Sequence, residues 1–338
     1  MVGDVSMRDY EPIELNAFFR ATHSTIWELA DKSGVLGQLG MTLKRLEFCE
    51  SSKKAEAALL GGDVDFVAGN HITPYLWVAL GKPMVCLASP GNTVRDRVIT
   101  RQPVSSLAEL KGKTLRVADS NLLDPWGGYH HPRGNHILDI QHAGFDDEEV
   151  DWVEVGELHA PEFPGQVVDA LISGRADVGF AGGSRADFER EGLHVLDLPT
   201  LPMVNGPTIT TSYEALNRKD RLAERLVRAL VMAIHYARAH TEESQRLLDA
   251  RMGRPYQEHG GRADGMARLP MKPYPTNDAV SNAYELCAIH YPETREVSSL
   301  ALWDLHYLRD LDLSGFIDEL IQEQPESARQ LGRDRAGL

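Results

Sequence analysis

Residues 58–73 read ALLGGDVDFVAGNHIT, and residues 170–185 read ALISGRADVGFAGGSR. Both stretches share the pattern A-L-x-x-G-x-x-D, followed by a short apolar run and then by small and polar residues. The glycine suits a helix C-terminus, where the backbone takes a positive φ. The apolar run is too short for a helix and is typical of a buried strand in a parallel sheet. Each stretch therefore predicts a helix, a tight turn and a strand that ends in a polar loop.

The repetition of this pattern predicts two similar α/β lobes, because loops at the carboxyl ends of such strands line the ligand crevice. Each lobe would then offer one loop to a shared cleft. The alternative is that two ordinary helix-to-strand turns look alike by chance. The predicted organisation is given by four ranges: 1–90 for the first part of lobe 1, 91–200 for lobe 2 as an insertion, 201–325 for a return to lobe 1 with C-terminal helices, and 326–338 for a charged tail.

The return segment contains several patterned stretches. Residues 220–250 have apolar residues at the spacing of one long amphipathic helix. Residues 254–275 are polar and rich in glycine and proline, which predicts a loop. Residues 300–308 and 314–323 are expected to be helical.

Composition restricts the class of protein. The chain has 338 residues, of which 42% are hydrophobic and 25% charged, with a net charge of −15. This is typical of a folded globular protein and argues against a general nucleic-acid binder, which needs clustered lysine and arginine. No apolar run approaches a membrane span. Residues 1–14 contain no apolar leader, which predicts a cytoplasmic protein, although a trimmed or misassigned start would look the same.

Polar loops on both predicted lobes supply the candidate ligand contacts. An arginine at a helix start, Arg133, would suit a carboxylate or sulfonate, or it would form a surface ion pair. Trp126 and Tyr129 could hold an aromatic ring between them, or they could pack beneath a glycine-rich loop. The residues predicted to bind the ligand are Arg20, His23, Ser24, Asn70, Thr73, Ser120, Asn121, Trp126, Tyr129, His130, His136, Gly183, Ser184 and Arg185.

A metal site is not predicted, although His130, His131 and His136 lie close in sequence. Adjacent histidines do not share one face, Pro132 would break a helix there, and no H-E-x-x-H spacing is present. The cysteines Cys49, Cys86 and Cys287 are widely spaced and form no metal-ligand pattern, and Cys49 and Cys86 are interpreted as buried structural thiols. We therefore expect no metal and no cofactor.

With these residues in view, the chain resembles the type II periplasmic-binding-protein fold, in the branch of alkanesulfonate-, nitrate- and pyrimidine-precursor-binding proteins. The residues that carry the resemblance are Thr22-His23-Ser24, Leu59 with Gly62-Asp63-Val64-Asp65, Gly81-Lys82-Pro83, Ser106 to Lys113, and Leu171 with Gly174 and Asp177. The resemblance implies a two-lobed α/β fold with a cleft between the lobes and a helical C-terminal return.

Some cytoplasmic enzymes also have this fold, and part of the chain is similar to one of them. Arg133-Gly134 with Leu138, Gly144, Trp152-Val153, Gly156, Glu157 and Pro161 resembles the spacing of a dihydroxyphthalate-type decarboxylase. The Cys-His-Arg set of aromatic sulfinate desulfinases has no clear counterpart in this chain, and neither does the cysteine-rich motif of the thiamine pyrimidine synthase.

Two main functions follow from these features. The first is a cofactor-free lyase, similar to a decarboxylase, acting on a small aromatic or heteroaromatic acid, with His71 or His131 as the general acid and Arg133 as the carboxylate clamp. The alternative is the solute-binding subunit of an ABC importer for a small organic anion, whose partners would be the transporter's membrane subunits. A cytoplasmic ligand-sensing module is a third possibility. The absent leader and the histidine-rich loops favour the enzyme.

Overall fold

The structure, a computed structural model, describes residues 10–20, 23, 25–49, 51–94, 97–120, 136–156, 163–181, 184–196, 201–251 and 263–326. The chain divides into two compact units. Unit 1 comprises Met1–Asn92 and Met203–Leu338, and unit 2 comprises Thr93–Pro202. The boundaries predicted after residues 90 and 200 lie two residues from these. Strands β5 (Gly91–Val94) and β11 (Leu201–Asn205), in the two segments that connect the units, pair with each other.

Unit 1 is built on a five-stranded sheet in the order β2-β1-β3-β12-β4. Its strands are β1 (Ile13–Phe19), β2 (Met41–Phe48), β3 (Phe66–Ala68), β4 (Met84–Ala88) and β12 (Ile209–Ser212). Strands β2, β1 and β3 are parallel, and β12 runs antiparallel between β3 and β4. Its helices are α1 (Thr25–Lys32), α2 (Val35–Gln38), α3 (Ser52–Gly61), α4 (Pro74–Ala79), α8 (Tyr213–Arg218), α9 (Leu222–Ala239), α10 (Thr241–Arg251), α11 (Ala263–Ala267), α12 (Asn277–His290), α13 (His306–Leu313) and α14 (Phe316–Glu323).

Unit 2 has a five-stranded sheet in the order β10-β6-β9-β7-β8. Its strands are β6 (Arg97–Thr100), β7 (Leu115–Ser120), β8 (Val150–Gly156), β9 (Val178–Ala181) and β10 (His194–Leu196), and its helices are α5 (His136–His142), α6 (Phe163–Ile172) and α7 (Arg185–Arg190). Strands β8, β7 and β9 are parallel, and β6 runs antiparallel between β9 and β10. The two sheets therefore have the same topology, with the antiparallel strand next to the strand that follows the repeated motif.

The glycine of each repeated motif forms the same turn. Gly62 ends α3 with φ +80°, and Gly174 follows α6 with φ +74°, so both occupy the left-handed region that the sequence predicts. A Cβ atom on Gly62 would lie 2.5 Å from Nη1 of Arg218, and one on Gly174 would lie 3.2 Å from Nη1 of Arg101. An arginine therefore lies against each glycine, and a side chain at either position would displace it.

The aspartate of each motif joins its strand to the neighbouring parallel strand in the same way. The Asp65 N–H donates to the carbonyl of Asn16 at 2.7 Å, and the Asp65 carboxylate accepts from the Asn16 N–H at 2.8 Å. In unit 2 the corresponding bonds join Asp177 and Arg116, at 2.8 Å and 3.4 Å. Both carboxylates also pair with basic side chains, such as Lys219 at 2.9 Å from Asp65. The two motifs are thus equivalent in structure.

Three predictions for the return segment differ from the structure. The single helix over 220–250 is two helices, α9 and α10, because the backbone of His240 leaves the helical region at φ −133°, ψ 52°. The helix over 300–308 begins only at His306. The preceding residues bond instead to the edge strand β4: the Cys86 N–H donates to Leu302 O at 2.7 Å, and the Asp304 N–H donates to Cys86 O at 3.0 Å. The predicted loop over 254–275 contains the short helix α11, and residues 252–262 lie outside the described residues.

The core of unit 1 packs the sheet against α9, whose Leu226, Ala229, Ala233 and Ile234 are fully buried. Unit 2 has an apolar cluster on each side of its sheet, one containing Ile99 and the other Val98. Within the described part of the chain, no helix has both the length and the apolar character needed to cross a bilayer.

Candidate functional site

The candidate site lies where strands β1 and β3 of unit 1 end, an edge that we call the carboxyl edge. Arg20 follows β1, and Gly69, Asn70 and His71 follow β3. The Arg20 N–H donates to Ala68 O at 2.9 Å, which holds the two loop starts together. Because β1 and β3 are parallel neighbours, their following residues meet at one place, as the sequence predicts.

Arg20 supplies a fixed positive charge at this edge. Its side chain is buried, with 7% of the residue exposed, and its guanidinium donates to the carbonyl of Cys49, the residue that follows β2. This bond ties the ends of β1 and β2 together and orients the arginine. A buried guanidinium stays charged at neutral pH, so its field acts strongly on nearby groups.

His23 and His71 lie within the field of Arg20, and both are uncharged at neutral pH. Burial, together with the charge of Arg20, lowers the pKa of His23 to about 4. Burial, followed by the influence of His23 and of Arg20, lowers the pKa of His71 to about 3. The Nδ1 atom of His71 is buried and has no hydrogen-bond partner among the described residues. A buried polar atom without a partner is costly, so a ligand atom that bonds there would gain affinity.

Gly69 allows the His23 ring to approach the backbone. Gly69 has φ +85°, and a Cβ atom there would lie 1.9 Å from Cδ2 of His23. The His23 N–H also donates to Arg20 O at 3.0 Å. The position of this imidazole therefore depends on the absence of a side chain at residue 69.

A buried carboxyl group that the sequence did not predict, Glu56 on α3, fixes the loop that carries His71. Glu56 is fully buried and accepts hydrogen bonds from Asn70 Nδ2 at 2.8 Å, from the Thr73 hydroxyl and from the Trp77 indole N–H. Burial raises the pKa of Glu56 to about 7, although the three hydrogen bonds and the charge of Arg20 lower it. Asn70 and Thr73 were predicted as ligand contacts; here their donors bind Glu56, and contact with a ligand stays a prediction.

In unit 2, His136 lies at the start of α5, next to the end of β7. Its Nδ1 is 2.9 Å from Oδ2 of Asp119, and its ring stacks on Phe180 with centroids 4.0 Å apart. Both His136 and Asp119 are buried. The pair joins the end of β7 to the start of α5, and a role for His136 in ligand binding stays a prediction.

Ser184 and Arg185 have local partners. The Ser184 hydroxyl accepts from the Asp187 N–H at 3.1 Å and so caps α7. The Arg185 guanidinium donates to Val195 O at 3.1 Å and lies 3.3 Å from Glu189. The predicted residues Ser24, Asn121, Trp126, Tyr129, His130, His131, Arg133 and Gly183, and the side chain of Ser120, lie outside the described residues. The described residues contain no group of histidine, cysteine, aspartate or glutamate that could hold a metal ion.

Comparisons with known proteins identify the family and the fold of the chain. The family model described as NMT1/THI5 like matches residues 29–244, more than half of the chain. No curated protein matches the sequence. Among solved structures, a sulfonate-binding protein of Methylobacillus flagellatus is 16% identical with a TM-score of 0.61, covering 91% of this chain and 97% of its own. The aliphatic sulphonate-binding protein SsuA of Escherichia coli is 16% identical with a TM-score of 0.58, covering 87% and 93%.

The nitrate-binding protein NrtA of Synechocystis is also similar, with 14% identity, a TM-score of 0.56, and coverage of 94% of this chain and 92% of its own. All three are described as periplasmic. The chain therefore has the two-lobed type II periplasmic-binding-protein fold, in the alkanesulfonate- and nitrate-binding branch. The predicted cytoplasmic location is wrong, because the proteins of this branch to which the chain is similar are periplasmic. The lyase hypothesis receives no support from them.

Proposed function

Since the chain belongs to the NMT1/THI5-like family, we propose that it is a periplasmic solute-binding protein that captures a small organic anion for an ABC importer. The anion would bind at the carboxyl edge of unit 1, against Arg20, His23 and His71. The observation that carries this proposal is the combination of one buried guanidinium with two uncharged imidazoles at that edge.

The chemistry of these groups suits reversible anion binding. Arg20 provides a positive charge whose orientation is already fixed by Cys49 O, so little ordering cost remains when a ligand arrives. The unpartnered Nδ1 of His71 provides a hydrogen-bonding position that a ligand oxygen or N–H could fill. An oxyanion such as a sulfonate, carboxylate or nitrate carries both the charge and the acceptors that such groups recognise.

The pKa of His71 argues against its predicted role as the general acid of the lyase hypothesis. A general acid must carry a transferable proton near neutral pH. With a pKa of about 3, His71 has lost its acidic proton well below that range, and His23 with a pKa of about 4 has as well. Neither of these two imidazoles is suited to protonate a ring carbon after decarboxylation, and the other predicted general acid, His131, lies outside the described residues. Binding without chemistry needs no such proton donor.

The named neighbours supply candidates for the ligand. Two of them are described as binding sulfonates and one as binding nitrate, all of which are small anions. We therefore propose a small sulfonate, carboxylate or comparable oxyanion. The partners under this proposal are the membrane subunits of the importer.

The test is isothermal titration of the purified protein with nitrate, ethanesulfonate and benzoate, with mass spectrometry of the recovered ligand. We expect at least one of these anions to bind and to be recovered unchanged. Replacing Arg20 by glutamine should weaken that binding about tenfold or more, since hydrogen bonds to charged groups contribute about 1.5–3 kcal/mol.

The matched control is Lys44→Gln. Lys44 lies on β2 of the same unit and its side chain is exposed, so this variant removes one positive charge from the surface of that unit. It should leave the affinity unchanged, and thermal melting should show that both variants are folded. Failure of every anion to bind, or equal affinity of the two variants, would contradict the proposal. A recovered product that has lost carbon dioxide would restore the lyase hypothesis.

A further inference from the structure

The main chain of the loop after β3 is bonded to strand β12 and to the residue that precedes this strand. The Gly69 N–H donates to Thr208 O at 2.9 Å, and the Thr210 hydroxyl donates to Asn70 O. Thr210 and Asn70 are both buried. Two consecutive residues of the loop are therefore held in place directly before His71.

The hydrogen bonds of the Thr210 hydroxyl have a defined direction. This hydroxyl has one proton, and it donates that proton to the carbonyl of Asn70, because a carbonyl can only accept. The thiol of Cys86 on β4 lies 3.2 Å from the same hydroxyl. Burial raises the pKa of this thiol to about 12, so it keeps its proton and can donate it to the hydroxyl. The thiol, the hydroxyl and the carbonyl therefore form a chain of hydrogen bonds that starts in the sheet and ends at the loop.

The side chain of Asn70 is held by a different element, helix α3. Its Nδ2 donates to Oε1 of Glu56 at 2.8 Å, and its Oδ1 lies 3.4 Å from the Thr73 hydroxyl, which also donates to Glu56. The carbonyl and the side chain of Asn70 thus both have partners inside unit 1. The next residue, His71, has a buried Nδ1 with no partner among the described residues. The polar groups of Asn70 are bound by protein, whereas His71 offers an atom that a ligand can bind.

These bonds order the loop before a ligand arrives. If the main chain at Asn70 were mobile in the free protein, a ligand that binds His71 would have to order it. Fixing the backbone of one residue costs about as much free energy as a tenfold change in affinity. A loop that is already ordered avoids this cost.

We propose that Thr210 is a positioning residue of the anion site, which holds Asn70 O and thereby keeps His71 in its binding position in the free protein. This inference rests on the proposed function. It gives Asn70 a supporting role, through its bonds to Thr210 and Glu56, and leaves contact with the anion to His71. The result is a higher affinity, with no change in the chemistry of the ligand.

Thr211, the next residue of β12, provides a matched control. It is also buried, and its hydroxyl also donates to a main-chain carbonyl, Asp65 O, at 2.7 Å. Successive side chains of a strand point to opposite faces of the sheet. Thr211 bonds to the segment before β3, whereas Thr210 bonds to the loop after it. Replacing either threonine by valine keeps the shape and removes one buried hydrogen bond, so each variant should lower the melting temperature by about 2–4 °C.

The experiment is isothermal titration of the wild type and the variants with whichever of nitrate, ethanesulfonate and benzoate binds the wild type. Thr210→Val should bind about tenfold more weakly, because the ligand must now order the loop. Thr210→Ser keeps the hydroxyl and should restore most of the affinity. Thr211→Val should keep the affinity of the wild type, although its melting temperature falls as far as that of Thr210→Val. This separation of affinity from stability distinguishes positioning from a general structural role.

A second measurement uses the wild type alone and applies even if Thr210→Val does not fold. Magnetic relaxation gives order parameters for the N–H groups of Gly69, Asn70 and His71. We expect values near that of a rigid backbone, about 0.85, both without ligand and with the anion bound. Values below about 0.6 in the free protein that rise on binding would show that the ligand orders the loop, and would overturn the inference.

The outcomes of the titration separate this inference from the proposed function. Equal affinity of Thr210→Val and the wild type would overturn the role of Thr210 and leave the proposed function intact. The same holds if Thr210→Val and Thr211→Val weaken binding equally. Failure of the wild type to bind any of the three anions would overturn the proposed function, and this inference with it.

Discussion

The repeated aspartate of unit 2, Asp177, allows the equivalence of the two motifs to be tested through stability. Its carboxylate is buried and accepts from Arg116 Nε at 3.1 Å and Nη2 at 3.0 Å, with Arg101 and Lys113 further away. Asp177→Asn keeps the shape and removes the charge. Hydrogen bonds to charged groups contribute about 1.5–3 kcal/mol, but these cations are 36–50% exposed and therefore partly screened, so we expect a loss of about 2 kcal/mol.

Hydrogen exchange followed by mass spectrometry assigns this loss to one unit. A loss of about 2 kcal/mol should accelerate exchange of the β7 and β9 amides about 30-fold and leave those of β1 and β3 unchanged. The matched variant Asp65→Asn should do the reverse, because Asp65 holds β1 and β3 together in unit 1. Equal acceleration in both units, or none in either, would refute the reasoning.

The pH dependence of the Asp177 variant has a definite sign. Burial alone would raise the pKa of Asp177, but the hydrogen bonds from Arg116 and the charges of Arg116 and Lys113 outweigh it, and the pKa lies below its ordinary value of 3.8. A lowered pKa contributes stability that is present above the ordinary value and is lost as the pH falls through the folded-state value. The difference between wild type and Asp177→Asn should therefore shrink below pH 4.

Two further predictions concern the carboxyl edge of unit 1. Gly69→Ala should displace His23 and weaken anion binding in titration. The control is Gly81→Ala, which also replaces a glycine of positive φ (+73°) but places its Cβ where no atom lies within 4 Å, so it should lower the melting temperature without affecting binding. Equal effects of the two variants on binding would contradict the role of Gly69. In urea unfolding without ligand, Glu56→Gln should gain about 3 kcal/mol relative to the wild type between pH 4.5 and pH 8, because the wild type loses stability as the pH rises from the ordinary pKa of 4.5 towards about 7. A difference that does not change with pH would show that Glu56 titrates normally.

The repeated motif could be predicted from the sequence because its structure is local. Gly62 and Gly174 occupy a backbone region that favours glycine, and Asp65 and Asp177 bond to the neighbouring strand directly after the turn. Such requirements leave a fixed spacing in the sequence. The same reasoning placed Arg20 and His71 at one edge, since parallel strands end together.

Glu56 could not be predicted, because its environment is created by tertiary contacts. Its hydrogen-bond donors, Asn70, Thr73 and Trp77, come from a different helix and its preceding loop. In sequence, Glu56 is an ordinary helical glutamate between two alanines. Whether such a residue faces solvent or the interior depends on packing that periodicity alone does not show.

The break at His240 was missed for a related reason. The buried face of α9 continues into α10, where Leu248 is fully buried as Ala237 is in α9. The spacing of the buried residues is therefore the same on both sides of His240, and this continuous helical spacing predicts a single helix. The segment before α13 was predicted as helix because its apolar residues suit one, but its backbone bonds to the outer edge of β4, the last strand of the sheet.

The central claim is that an anion binds against His23 and His71 at the carboxyl edge of unit 1. It is tested most directly by magnetic resonance of protein labelled in its 13 histidines, titrated with whichever of nitrate, ethanesulfonate or benzoate binds best. The signals of His23 and His71, assigned by their glutamine variants, should shift in proportion to occupancy, while that of the exposed His306 should not. Saturation of the protein with no change at either His23 or His71 would contradict the account.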